Sequence, residues 1–152
     1  MEQQQSNYIK SLNILFNALV TGQALFALVA YALVATGNFK STMPGVENIF
    51  VYVVAALLIG GRFGGTMLYK TRLQQAIAAP TITEKLNLYR AAFLIRCALL
   101  EGPVLFAIIT YLLTNATQLI ILAAFGILLF LTLKPVKEKI AKELEISVKE
   151  IE

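Results

Sequence analysis

The chain has 152 residues, of which 58% are hydrophobic and 14% charged, with a net charge of +4 and a mean hydropathy of +0.72. A soluble domain carries about 25% charged residues, so this composition excludes an ordinary soluble fold and points to a bilayer. Histidine and aspartate are absent and Cys97 is the single cysteine. That argues against a disulfide framework, a metal centre or an enzyme.

The first apolar segment runs from about Leu12 to Ala35 inside a charge-free stretch between Lys10 and Lys40. It exceeds the roughly 20 residues that cross a bilayer core and is too long for a cleaved leader. Asn13, Asn17 and Thr21 recur every four residues on it, which predicts a polar stripe lining one face. Gly37 then supplies a stop.

The second segment, about Asn48 to Tyr69, contains "LLIGGRFGGTML". Gly60 with Gly64 and Gly61 with Gly65 give two overlapping GxxxG patterns, the signature of close helix packing in lipid. Arg62 stands between them. The polar stretch that follows, ending in Pro80, predicts a continuation of this helix. "TITE" at Thr81 to Glu84 then matches a capping box that opens the next one. Together they predict a helical hairpin that stands out of the membrane.

The third segment, about Ala91 to Leu113, carries Arg96, Glu101, Gly102 and Pro103. Rise along the helix puts Arg62, Arg96 and Glu101 in one layer. An ionised side chain facing lipid there costs at least a few kcal/mol. The expectation is a buried ionisable cluster, with Arg62 bridged to Glu101 and Arg96 reaching toward the interface. The competing reading has Glu101 binding an ion or proton, which two adjacent arginines would oppose by holding it ionised. Pro103 removes the donor to the Leu99 carbonyl and predicts a helix kink near Gly102.

The fourth segment, about Gln118 to Leu133, is short. Residues 98–113 repeat residues 18–33 at a constant offset of 80, with Gly22, Phe26 and Tyr31 recurring as Gly102, Phe106 and Tyr111. This predicts a parallel internal repeat of helices 1 and 3. It also sets Thr21 level with Glu101.

Residues 1–134 therefore read as an all-α, polytopic four-helix transmembrane domain. Residues 135–152 read as a charged helical tail with an amphipathic spacing of Val136, Ile140, Leu144 and Val148. With Lys134 just before it, five lysines balance five glutamates, so the expectation is a solvated, salt-bridged extension. Lys70, Arg72, Lys85, Arg90 and the tail lysines place both termini and the central loop in the cytoplasm. A multi-pass protein of the inner membrane follows. The bilayer is its first partner, and the glycine face suggests a homo-oligomer or a subunit of a membrane complex. No phosphate loop, nucleic-acid pattern or cofactor motif is present.

"GGRFGG", "AAPTITEK" and "LLEGPVLFAIITYLLTN" stand in the order of a glycine helix, a polar cytoplasmic loop and a carboxylate helix. Over about residues 56–115 the chain resembles the proteolipid, or c-type, subunits of rotary ATPases. The resemblance implies that Glu101 matches the ion-binding carboxylate. Arg62 departs from the pattern. The expected function is a small non-enzymatic membrane protein of structural, assembly or interaction type. The alternative is an ion- or proton-translocating subunit that uses Glu101.

Overall fold

A computed structural model describes residues 2–37 and 39–148, with side chains from Tyr8 onward. Their helices are α1 (Glu2–Ala35), α2 (Glu47–Ile77), α3 (Ile82–Thr114), α4 (Thr117–Leu131) and α5 (Lys137–Leu144). Three stretches, Tyr8–Ala35, Glu47–Ile77 and Ile82–Thr114, are long and apolar enough to cross a bilayer. The shorter α4 is apolar from Leu119 onward. Ile14, Leu28, Tyr52, Phe63, Met67, Ile121 and Leu128 point outward. That surface belongs in lipid, and the chain is a membrane protein.

Local chemistry sets the helix ends. Gly37 adopts φ +70 after α1, a conformation that costs glycine nothing, and the Phe39 amide donates back to the Leu33 carbonyl at 3.2 Å. Thr81 caps α3 by accepting from the Glu84 amide at 3.3 Å, as "TITE" predicts. Asn115 closes α3 in the left-handed region at φ 59, where asparagine is among the better-tolerated residues. Its side-chain amide donates to the Phe39 carbonyl at 3.1 Å. The Leu113 carbonyl accepts from the Thr42 and Met43 amides. These bonds clamp the α1–α2 loop over the α3–α4 turn.

The core is organised around α3, which packs on α1, α2 and α4. Phe16 of α1 lies 5.5 Å from Phe130 of α4, stacked, and 6.4 Å from Phe93 of α3. Glycine permits the closest approaches. A Cβ added at Gly61 would collide with the Leu99 carbonyl oxygen and stand 3.2 Å from its carbon. One at Gly126 would stand 2.5 Å from Val104 Cγ2 and 2.9 Å from Leu58 Cδ2.

Helix α3 runs without a break through Pro103. The Leu99 carbonyl that Pro103 leaves without its helical donor is covered by the Gly61 backbone. Contacts of this Cα–H···O kind recur where helices cross closely.

The tail departs from the sequence expectation. Helix α5 does not extend into solvent; Ile140, Ala141 and Leu144 are buried and the helix packs on α2. Balanced charge says nothing about the apolar stripe, and that stripe decides the placement. Glu145 at φ 55 and the bond from the Ile146 amide to the Ala141 carbonyl (3.1 Å) turn the chain at its end.

Candidate functional site

The polar side chains of the bundle fall into two groups. One lies beneath α5. Tyr69 of α2 donates to Glu143 Oε2 at 2.6 Å, and Tyr89 of α3 donates to the same oxygen at 3.2 Å. The two rings meet edge to face at 6.0 Å. The Arg96 guanidinium stands over the Tyr69 ring, 4.8 Å from its centroid. A cation over an aromatic face is attracted by the ring quadrupole. The Arg96 Nε is buried without a hydrogen-bond partner.

Arg62 is held by its own helix. Its Nη1 donates to Thr66 Oγ1 at 2.6 Å, and that hydroxyl donates to the Arg62 carbonyl at 2.7 Å.

The second group contains Glu101, and here the expected cluster comes apart. Among the described residues no ion pair joins Glu101 to Arg62 or Arg96. Helix geometry gives the reason. Arg96, Leu99 and Pro103 form the face of α3 that meets Gly61 and Gly65. At 100° per residue Glu101 lies about 200° around from both Leu99 and Pro103. A shared depth does not bring side chains together when they leave opposite faces. Glu101 is half-buried on the edge of α3 away from α2.

The remaining predicted residues separate similarly. Gly61 and Gly65 form the α2–α3 contact, whereas a Cβ at Gly60 or Gly64 meets nothing within 4 Å. Gly60 and Gly64 instead line an outward apolar groove of about 350 Å³ with Leu57, Gly102 and Pro103. Asn17 and Thr21 are exposed on the outer face of α1. Asn13 is half-buried and donates to the Ile9 carbonyl at 3.1 Å. The predicted polar lining therefore faces outward, because the buried stripe of α1 runs through Ile9, Leu12, Phe16 and Ala30.

Three residues that sequence reasoning passed over carry the first group: Tyr69, Tyr89 and Glu143. Tyr69 stands beside Lys70 at the end of the apolar run, where an amphipathic ring is usual, and this masks its second role. A fourth, Gln23, lies in the buried stripe of α1 with its amide nitrogen and oxygen both unpartnered. No family model matches the chain, and no curated protein or solved structure resembles it significantly.

Proposed function

We propose that this chain is a small integral membrane protein that binds a proton or cation at Glu101, as a translocating subunit or small transporter. The observation that carries the reading is the placement of the arginines. Both are engaged by Thr66 and Tyr69, on the side of α3 that Glu101 does not face. The electrostatic objection to a titrating carboxyl, two cations holding it ionised, is thereby removed. An intramembrane carboxyl without a counter-ion is costly, and such groups mark ion and proton paths. The likeness of residues 56–115 to c-type proteolipids supports the same role for Glu101.

In this reading α4 is the fourth span. Its 15 residues cover about 22 Å, and local thinning of the bilayer accommodates a short helix. An even number of spans leaves both termini on one side. The lysines and arginines of the α2–α3 turn and of the tail assign that side to the cytoplasm of an inner membrane.

The test is the pH dependence of carbodiimide labelling at Glu101 in native membranes, with Glu101→Gln as the blank. The reagent needs a protonated, accessible carboxyl in apolar surroundings. Labelling that grows as the pH falls is expected. A carboxyl that stays unreactive down to about pH 5, close to its ordinary range, would sink the proposal.

A second reading, a structural or assembly protein, is favoured by Asn17 and Thr21 on the outer face of α1. Polar side chains at membrane depth associate helices by hydrogen bonding. Crosslinking of Asn17→Cys pairs into a dimer would support it.

A further inference from the structure

Gln23 is 1% exposed, and neither its amide nitrogen nor its amide oxygen has a hydrogen-bond partner. A buried polar group left unsatisfied costs about 1–3 kcal/mol, and each such group calls for an explanation. The register of α1 against α3 supplies one. The Tyr8 hydroxyl donates to the Leu86 carbonyl, and Phe16 lies 6.4 Å from Phe93. The two contacts advance together, so the helices run parallel. Two turns beyond the phenylalanine pair, α1 reaches Gln23 and α3 reaches Leu100 and Glu101. Gln23 leaves α1 on the same line as Phe16, into the seam where α1 meets α3 and α4. Glu101 leaves α3 next to the buried Cys97, Val104 and Ile108, on the side away from α2.

We infer that Gln23 is the second half of the Glu101 site and that the species bound there is the proton, an inference that rests on the ion-binding reading above. A primary amide presents a donor and an acceptor at one place. The structure holds no bond between the two side chains; with the half-buried Glu101 turned into the seam, an ionised carboxylate accepts from the Gln23 N–H. A protonated Glu101 donates its O–H to the Gln23 carbonyl oxygen. Rotation of the amide exchanges the two arrangements, so the site serves both states while the carboxylate takes up one proton from water. The two side chains together offer three oxygens. A hard divalent cation takes six or more, and among the described residues no group of three acidic, cysteine or histidine side chains comes together.

Other charges do not intrude. Helix α1 has no ionisable side chain between Lys10 and Tyr31, and α4 has none from Thr117 to Leu131. On α3 the nearest are Cys97, one turn before Glu101, and Arg96, which is turned to Tyr69. On α2 Arg62 is held by Thr66.

The experiment compares carbodiimide labelling of Glu101 across pH in native membranes of wild type, Gln23→Leu and Gln23→Met. Both substitutions put an apolar group of similar size where the buried amide has no hydrogen-bond partner, so no bond present in the structure is lost. The carboxylate loses the N–H that stabilises its charged form, and hydrogen bonds to charged groups are the stronger kind. The half-labelling pH is expected to rise by about one unit in both variants, a tenfold change in proton affinity. An unchanged midpoint in the variants, with a wild type that titrates, overturns the role of Gln23 and leaves the ion-binding reading standing. Slower labelling in sodium or potassium at constant ionic strength overturns the assignment of the proton. A wild type that does not label at any pH removes the ion-binding reading itself, and this inference with it.

Discussion

Tyr69 donates a 2.6 Å hydrogen bond to Glu143, a residue 74 positions later in the chain. That bond ties the second helix to the last and closes one end of the bundle. Tyr89 donates to the same carboxylate oxygen, so Glu143 bridges three helices. Hydrogen bonds to charged groups contribute about 1.5–3 kcal/mol. Glu143→Ala removes both and should release α5, leaving Tyr69 and Tyr89 without their acceptor. Limited proteolysis in detergent is expected to cut the Lys134–Lys142 region at least tenfold faster. Tyr69→Phe keeps the Tyr89 bond and should fall between the two. Equal cleavage in wild type and Glu143→Ala would mean that the apolar contacts of Ile140 and Leu144 hold α5 alone.

The two glycine pairs of α2 should respond very differently to alanine. Gly61 lies against the Leu99 carbonyl, which is backbone and cannot swing aside. Overpacking costs typically 1–3 kcal/mol, and a methyl against backbone belongs at the top of that range. Gly61→Ala is expected to lower the melting temperature of the detergent-solubilised protein markedly. Gly60→Ala faces open space and gains helix propensity, so it should be neutral or slightly stabilising. The reverse order would show that the α2–α3 contact runs through the other pair.

Asn115 combines a left-handed backbone with a side-chain bond to Phe39. Asn115→Gly keeps the backbone freedom and loses only that bond, while Asn115→Ala loses both. Thermal unfolding should rank wild type, glycine and alanine in that order. The alanine variant is expected to be about 1–2 kcal/mol less stable than wild type, from one hydrogen bond and the strain of a left-handed alanine. An alanine variant as stable as the glycine one would place the whole effect in the side-chain bond.

The helices were legible because their signals are local. An apolar run, the Thr81 cap and the glycine stop at Gly37 each act within a few residues. Depth along a helix was legible for the same reason, from rise alone. Azimuth was not. Whether Arg62 can meet Glu101 depends on which face of α3 turns to α2, and that is set by Leu99 and Pro103 fitting against Gly61 and Gly65. The stripe of Asn13, Asn17 and Thr21 suggests a lining because a polar stripe in an apolar helix usually turns inward. The neighbouring line of Ile9, Leu12, Phe16 and Gln23 packs instead. Glu143 was lost among balanced tail charges, since nothing local distinguishes it from Glu138 or Glu145.

That azimuth makes Arg62→Gln a discriminating variant. If Arg62 bridged Glu101, removing it would strand a buried carboxylate, at a cost of about 3–5 kcal/mol. The observed partner is Thr66, four residues along the same helix, and Thr66 can keep its own bond to the backbone carbonyl. A glutamine at position 62 forfeits one side-chain bond and removes a charge from the membrane interior. Arg62→Gln is therefore expected to fold to wild-type yield, with a stability change under about 1.5 kcal/mol. It should also leave the pH dependence of Glu101 labelling where it was. Arg96→Gln should be the more damaging of the two, because Arg96 covers the Tyr69 ring that holds the tail. If Arg62→Gln instead abolishes folding, or moves the Glu101 midpoint by a unit or more, the two residues interact across α3. The separation of charges on which the proton-binding role depends would then be lost.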